Sequence, residues 1–579
     1  MASITEPQPV LQNLGYSRNE IEQPWFGSNR NSFTKMDEGN GKSDAQFDDC
    51  FDAEKDTGEW EGQKFSQGSI EDPLNWPSYR KALAFFSLCL AFSVVGMQRL
   101  MFVSVNSVIE AQFSISSTQT AALTGVAFIF SASSPLWEML SMKVGKRSIL
   151  IFASMLMLAG SLWNMHVEGF WQFLGGRMFQ GLGWGAFEGL GRRAVGDMYF
   201  ESQIPACLMI LSIIDLAFTW GTPIIGGYLS QTIGGYGNQI MLMTIFQAIS
   251  MFLFIVLFPE TAFSRSDYPA PSTSIPPTSS FKSWLKTLHV MPYWGNPSKV
   301  DLLKPLKGFS SPTTILTFVL SSLPIAAAYA FALSLSGFLS ASPLFIFPTQ
   351  MGYIFLGPLL LSIIPYLLLS IMSPTKQITA TSTGKNSGNS TRSAFRIAIP
   401  GLILFATGTV FFSKYVSTTV IANVMGVDSN SAFVTSDSDT NLNLRVVGLL
   451  LGLMVAGGAV VSFAVQRYLG LREAQMGRER GEKGHLERAH HVLLTIFTGI
   501  VVIAMPRWVD GGVGQEMGGV MGLKDTGFGL GAFGFIVGLV AVIVLWVSGD
   551  RITGWEMGEK GKGKGKEEEF VYKIKQLQV

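Results

Sequence analysis

The 579 residues are 48% hydrophobic and only 14% charged, and the mean hydropathy is positive. Such a chain is too apolar for a soluble globule of its size and reads as a polytopic membrane protein. The net charge of +1 conceals a segregation, acids in the N-terminal stretch and bases in particular loops, and offers no footing for nucleic-acid binding.

Residues 1–78 are rich in Asp, Glu, Gly, Ser and Asn and poor in aliphatics, which predicts a disordered tail. No early apolar segment follows a basic start, so a cleavable signal peptide is not expected and the tail is placed in the cytosol. From Ala82 onward, apolar runs long enough to cross a hydrocarbon core of roughly 30 Å follow one another. Twelve are expected, at about 82–105, 120–140, 148–165, 170–190, 204–230, 239–258, 313–339, 344–372, 396–414, 445–466, 491–507 and 529–548. The loops after spans 2, 4, 6, 8 and 10 hold Lys and Arg, among them Lys143, Lys146, Arg147, Arg192, Arg193, Lys286, Lys376 and Arg478. The loops after spans 1, 3, 5 and 7 hold none, which places both termini in the cytosol.

A Pro/Ser/Thr-rich linker at 262–312 divides the spans six and six, and a polar insert, Thr375 to Ser393, separates spans 8 and 9. The layout is 79–261 as a first six-helix bundle, 313–548 as a second and 549–579 as a cytosolic tail. Two six-helix halves joined by a cytosolic loop are the arrangement of a transporter built from paired repeats, with the substrate path between them. The one N-glycosylation sequon, Asn389-Ser390-Thr391, falls in a loop assigned to the cytosol and is expected to be unused. Cys50, Cys89 and Cys207 are scattered, and His490 and His491 are adjacent rather than a helical turn apart. Neither a disulfide framework, a metal site nor a cofactor is expected.

An ionisable group at the centre of a membrane helix costs roughly 2.5–3.5 kcal/mol on insertion scales, so each one needs a reason. Arg177 lies about 12 Å from the outer end of span 4. It is either a fixed charge controlling proton traffic or a structural arginine held by carbonyls. Asp215, mid-span 5, is the best candidate for carrying a proton, because burial favours the neutral carboxyl; a paired structural aspartate is the alternative. Glu188 is either a second relay or the partner of Arg192, one turn on. Arg99 pairs with Asp215 or Glu138, contacts an anionic substrate, or snorkels. With Gln180, Gln350 and Tyr353, it makes up the expected substrate path. Glu138 is expected at the membrane boundary, balancing Lys143 or Arg147. Gly221, Pro223, Gly226 and Gly227 predict a bent, closely packed segment against a second-half helix.

Several of these stretches carry a family likeness. Asp72-Pro73-Leu74-Asn75-Trp76-Pro77 precedes span 1, and Lys143-Val144-Gly145-Lys146-Arg147 follows span 2. Arg177 with Gln180, Gly181, Gly183 and Gly185 lies in span 4, Pro223 with Gly226 and Gly227 in span 5, and Phe258-Pro259-Glu260-Thr261 closes span 6. Together they resemble the major facilitator superfamily, and within it the fungal twelve-span drug:proton antiporters. Ala186-Phe187-Glu188 and Gly196-Asp197-Met198-Tyr199-Phe200 are similar to a subgroup handling organic cations, polyamines or drugs. The departures are Met142 where the loop motif has its acid, Glu138 where it has a small residue, Thr222 where span 5 has glycine, and Glu201-Ser202-Gln203-Ile204 where bases are usual.

The resemblance implies an all-α integral membrane protein of the major facilitator fold, and not an enzyme. It would be a monomer in the plasma membrane rather than the vacuole, moving a small organic molecule outward in exchange for protons. An importer of a small nitrogen compound and a non-transporting sensor are the competing readings.

Overall fold

A computed structural model describes residues 72–200, 202–233, 235–263, 304–340, 344–372, 387–425, 442–480, 485–510 and 518–556. The predicted tail up to residue 71, the linker over 264–303, the insert over 373–386 and the C-terminal tail from 557 lie outside the described residues. Within them every regular element is helical.

Among the described residues, ten helices are long and apolar enough to cross a membrane, and they coincide with ten of the predicted spans: Ser78–Phe113, Lys146–Asn164, Ile204–Leu229, Tyr236–Leu257, Pro312–Ser340, Pro348–Leu369, Ala394–Thr419, Leu444–Glu473, His485–Val509 and Gly522–Gly549. Span 2 is a bent pair, Ser117–Ser131 and Ser134–Val144, inclined by 42°. It opens on a capping box, Ser116 accepting from the Gln119 backbone while the Gln119 side chain accepts from Ser116. The apolar count is thus ten, or eleven with that pair, against the twelve expected. The difference is span 4. Its helix Phe170–Ala186 is 17 residues long and passes through a π-helical turn, Phe187–Gly191, into Arg192–Met198. Its glycines, Arg177 and Gln180 lower its hydropathy, and they lie on a face buried against neighbouring helices while Trp171 and Phe179 are exposed.

Those glycines set the packing. A Cβ on Gly181 would strike the Ala127 carbonyl of span 2 and one on Gly185 the Ser131 carbonyl, while Gly183 faces Ala153 and Met157 of span 3. Spans 2 and 3 therefore approach span 4 at backbone distance, as small residues permit in membranes.

The helices form two packed groups. In the first half, spans 1, 5 and 6 pack together and spans 2, 3 and 4 together; in the second, span 9 lies against spans 10 and 12, and span 7 against spans 10, 11 and 12. The halves meet along spans 2 and 11 and along spans 5 and 8. One apolar core joins Leu100, Val103, Ala121 and Trp220 of the first half to Phe331, Met351, Phe355 and Met505 of the second.

The residues just before span 1 are folded, although they end the stretch expected to be disordered. Asp72 caps a 3-10 turn at Pro73–Asn75, Leu74 and Trp76 are buried, and the Arg80 guanidinium sits 4.2 Å from the Trp76 ring centroid. Lys81 Nζ donates to the Leu74 carbonyl (3.1 Å) and lies over the rings of Tyr199 and Phe200, which ties this turn to the end of span 4.

Candidate functional site: a buried arginine between two carboxylates

Span 1 is interrupted at Arg99, where its α-helix ends before the 3-10 turn Val103–Val105. Side chains on a helix lean toward its N-terminus, so the guanidinium reaches back into the bundle. There it donates to Asp215 Oδ2 at 2.6 Å and, from its other terminal nitrogen, to Glu188 Oε1. Asp215 lies eleven residues along the helix that starts at Ile204, about 16 Å from its start. Glu188 sits on the π-helical turn, a feature often found at functional positions. Arg99, Glu188 and Asp215 are all buried. Of the openings left by the sequence, Arg99 pairs with Asp215 and not with Glu138.

The second half reaches this cluster from two helices. Tyr329 of span 7 lies beside Arg99, stacks on Trp220 (centroids 5.5 Å apart, planes at 22°) and meets Phe128 edge-on at 5.1 Å. His491 of span 11 places Nε2 3.3 Å from Glu188 Oε2. Asp215 Oδ1 is buried with no hydrogen-bond partner among the described residues. Neither Tyr329 nor His491 was singled out by the sequence. Adjacent histidines on a helix point in different directions, and here only His491 faces span 4, while His490 is buried beside Ser321 (3.4 Å). Glu188 makes its ion pair with Arg99, its other oxygen faces the His491 ring, and Arg192 acts on it through space.

Arg177 occupies a different environment. It is fully buried and donates to the Leu123 carbonyl (3.0 Å), Gln180 Oε1 (2.6 Å) and the Gln98 carbonyl (2.9 Å), with the Phe102 and Trp184 rings each 5.4 Å away. No carboxylate is among its partners in the described residues. Gln180 also donates to Ser161, which together with Gln98 donates to Gln247 Oε1 at 2.7 and 3.0 Å. This polar network links spans 1, 3, 4 and 6 inside the first half, so Arg177 and Gln180 hold helices together and are not part of the Arg99 cluster. Gln350 and Tyr353 are exposed at the outer start of span 8, the Gln350 amide oxygen accepting from the Phe347 backbone (3.4 Å). They too stand outside the cluster.

The halves touch above and below the cluster. Outside, the span 5 segment meets span 8: a Cβ on Gly227 would strike the Pro348 carbonyl, and one on Gly352 would lie 2.8 Å from the Pro223 carbonyl. Gly226 receives the Gln239 side chain of span 6, and Gly221 faces Leu359 at ordinary contact distance. Thr222, in place of the usual glycine, turns its hydroxyl to the Phe218 carbonyl (2.5 Å). Also outside, Gly125 of span 2 packs against Gly499 and Ile503 of span 11. Inside, Glu138 is buried and pairs not with Lys143 or Arg147, as expected, but with Arg193 of its own half and Arg488 of the other. A cavity of about 110 Å³ bounded by Met97, Ile225, Leu242 and Phe246 lies between spans 1, 5 and 6, away from the charges.

The loop after span 2 is anchored despite Met142. Gly145 adopts φ +93°, the turn for which glycine is suited, and the backbone N–H groups of Lys146 and Arg147 donate to the Glu260 carboxylate at 3.0 and 3.1 Å. Arg147 donates to the carbonyls of Phe258 (2.7 Å) and Ile255 (2.8 Å), and Lys146 pairs with Asp197. Three stretches that the sequence presents separately thus form one junction at this end of the first half. Burial pushes the Glu260 carboxyl up, against the backbone N–H groups of Ala262, Lys146 and Arg147 that favour its charged form.

Comparison with known proteins places this arrangement. Residues 88–465 match the Major Facilitator Superfamily model. An uncharacterized MFS-type transporter of Schizosaccharomyces pombe is 25% identical over 201 residues, which is 34% of this chain and 34% of that protein. The match therefore spans about a third of that relative's length. Among solved structures, a mutant of the peptide transporter POT is similar with a TM-score of 0.53 and 13% identity, over 85% of this chain and 99% of that one. The same protein bound to alafosfalin gives 0.52 and 14% over the same shares. At these identities the structural likeness speaks for the fold alone. With the family model covering more than half of its length, the chain belongs to the Major Facilitator Superfamily.

Proposed function

We propose that the protein is a secondary transporter that carries a small organic molecule across the membrane by alternating access, driven outward by proton exchange. The observation that carries this reading is the Arg99–Glu188–Asp215 cluster. It is buried where the halves meet, touched by Tyr329 and His491 from the second half, and covered on both sides by contacts between the halves. A substrate passing between the halves has to pass this cluster. A carboxyl exposed first to one side and then to the other is a means of tying proton flow to that passage, and Asp215 is the group assigned to it.

The outward direction is supported by the close span 5–span 8 contact at Pro223, Gly227 and Gly352, which fits a path sealed against leak. Both termini are assigned to the cytosol, a reading supported by the distribution of loop bases. The sensor reading loses part of its motive, since Glu260 and Asp197 engage the loop that lacks its usual acid. The test is a panel of toxic compounds applied to cells with and without the chain. Efflux predicts that at least one compound accumulates to a higher level, and kills at a lower dose, when the chain is absent. Higher accumulation in its presence would establish import, and no difference across the panel would remove the outward-transport reading.

A further inference from the structure

The central cluster does not balance its own charge. Arg99 supplies one positive charge, and Glu188 and Asp215 supply two negative ones. A net charge buried in an apolar bundle is unfavourable, and one further proton would cancel it. Two groups stand ready to take it. One is Asp215, whose Oδ1 lacks a partner; the other is His491, whose Nε2 faces Glu188 Oε2 at 3.3 Å.

These two groups differ in what their protonation does to the fold. A proton on Asp215 breaks an ion pair within the first half, because Asp215 and Arg99 both belong to it. A proton on His491 creates an ion pair between halves, because His491 belongs to span 11 and Glu188 to span 4. The Glu188 side chain is itself divided, one oxygen to Arg99 and the other to His491, and it stands on a π-helical turn, where the main chain departs from regular α-helical hydrogen bonding. The His491 side chain is 29% exposed, so the described residues do not seal its ring off.

We propose that His491 is the second-half proton site of the transport cycle, and that its protonated form fastens the two halves through Glu188. The proton enters at the ring nitrogen that lacks one and gives an imidazolium whose Nε2–H donates to Glu188 Oε2. Its loss to water leaves a neutral ring and releases Glu188 to Arg99 alone. The other charges that reach His491 are Arg99, Arg192 and, on its own helix, Glu487, with His490 beside it. Arg192 and Glu487 carry opposite signs and offset one another. Of the remaining charges on the packed elements, Glu138 from span 2 is occupied by Arg193 and Arg488, and Glu473 from span 10 caps the start of span 11 by accepting from the N–H groups of Leu486 and Glu487 at 2.9 Å each.

This inference deepens the transport reading and rests on it for its biological meaning, but its test needs no substrate. Spin labels at Ser202 and Leu306, both exposed near the inner ends of the helices, report the inter-half distance in the full-length protein reconstituted in lipid, with the native cysteines replaced by alanine. Between about pH 4 and about pH 8, a range that reaches well below the ordinary histidine value, the wild type is expected to pass from a narrow, short distance to a broad, longer one. His491→Asn should show the broad distribution throughout, His491→Lys, which keeps a charge at both values, the narrow one throughout, and Asp215→Asn, in which Arg99 already balances Glu188, a transition that is retained but displaced to lower pH. A transition that survives in His491→Asn, or disappears in Asp215→Asn while His491→Asn keeps it, would overturn the proposal, as would a wild type with no transition. The lysine variant guards against loss of fold, since it regains the short distance only if the charge matters. Absence of transport with the distance transition intact would defeat the transport reading and leave the His491 switch standing.

Discussion

Replacing Arg99 with methionine removes the guanidinium while keeping an unbranched, apolar side chain in the space. Asp215 then keeps neither of its described oxygen contacts: Oδ2 loses Arg99, and Oδ1 has no partner to begin with. Glu188 is less affected, because His491 remains at 3.3 Å. Breaking a buried ion pair by deleting one partner costs about 3–5 kcal/mol, and the Arg99, Glu188 and Asp215 side chains are at most 11% exposed, so little of this is screened away. At about 2 °C per kcal/mol for a large domain, Arg99→Met should melt about 6–10 °C below the wild type. Asp215→Asn retains an oxygen acceptor for Arg99, which also keeps Glu188, so its cost is only about 1–2 kcal/mol. The double variant Arg99→Met/Asp215→Asn should be more stable than Arg99→Met alone, because the orphaned carboxylate has gone. The measurement is thermal unfolding in detergent followed by tryptophan fluorescence, completed as a double-mutant cycle. A double variant lying at the sum of the two single losses would show that the two residues do not act as a buried pair, and the site would have to be rebuilt on other groups.

Gly227→Val drives a side chain into the Pro348 carbonyl of span 8. Liposomes carrying the variant should therefore dissipate an imposed pH gradient faster than wild-type ones, and equal rates would argue against an outer seal at this contact. Gly181→Val meets the Ala127 carbonyl in the same way but within the first half. It should cost about 1–3 kcal/mol of stability by overpacking without adding leak, as thermal unfolding and the same gradient assay would show. Glu260, whose carboxyl is pushed up by burial, contributes stability that is fully present below the ordinary value of 4.5 and declines as pH rises through the raised one. The melting-temperature advantage of the wild type over Glu260→Gln should accordingly be larger at about pH 4 than at about pH 7; a difference independent of pH would contradict that origin.

The parts of this fold visible from the sequence are those governed by local composition. Ten apolar helices lie where runs of apolar residues place them, and Gly145 makes the turn that a glycine between Val144 and Lys146 suggests. Span 4 shows the limit of hydropathy. A helix packed against protein along one face has no need to be apolar there, so Phe170–Met198 carries Arg177, Gln180 and Glu188 within the run that the sequence presents as apolar over 170–190. The pairing of charges was less legible. Arg99, Glu188 and Asp215 are separated by 89 and 116 positions from the arginine, and nothing in one sequence states which of several buried charges will meet. Glu138 reads as the partner of Lys143 or Arg147 because they follow it closely in the chain. The partners that allow it to be buried, Arg193 and Arg488, come from a distant loop and from the other half. His491 was hidden for a similar reason: its chemistry depends on facing a π-helical turn, and periodicity does not register such turns.

The account stands most directly on pH-driven transport by purified protein in liposomes, using the compound whose cellular accumulation changes most with the chain. Wild-type protein should concentrate that compound against its gradient when a pH difference is imposed. Asp215→Asn should bind the compound and exchange it across the membrane, with no response to the pH difference. An Asp215→Asn variant that concentrates the compound as the wild type does would contradict the assignment of the Arg99–Glu188–Asp215 cluster as the coupling site.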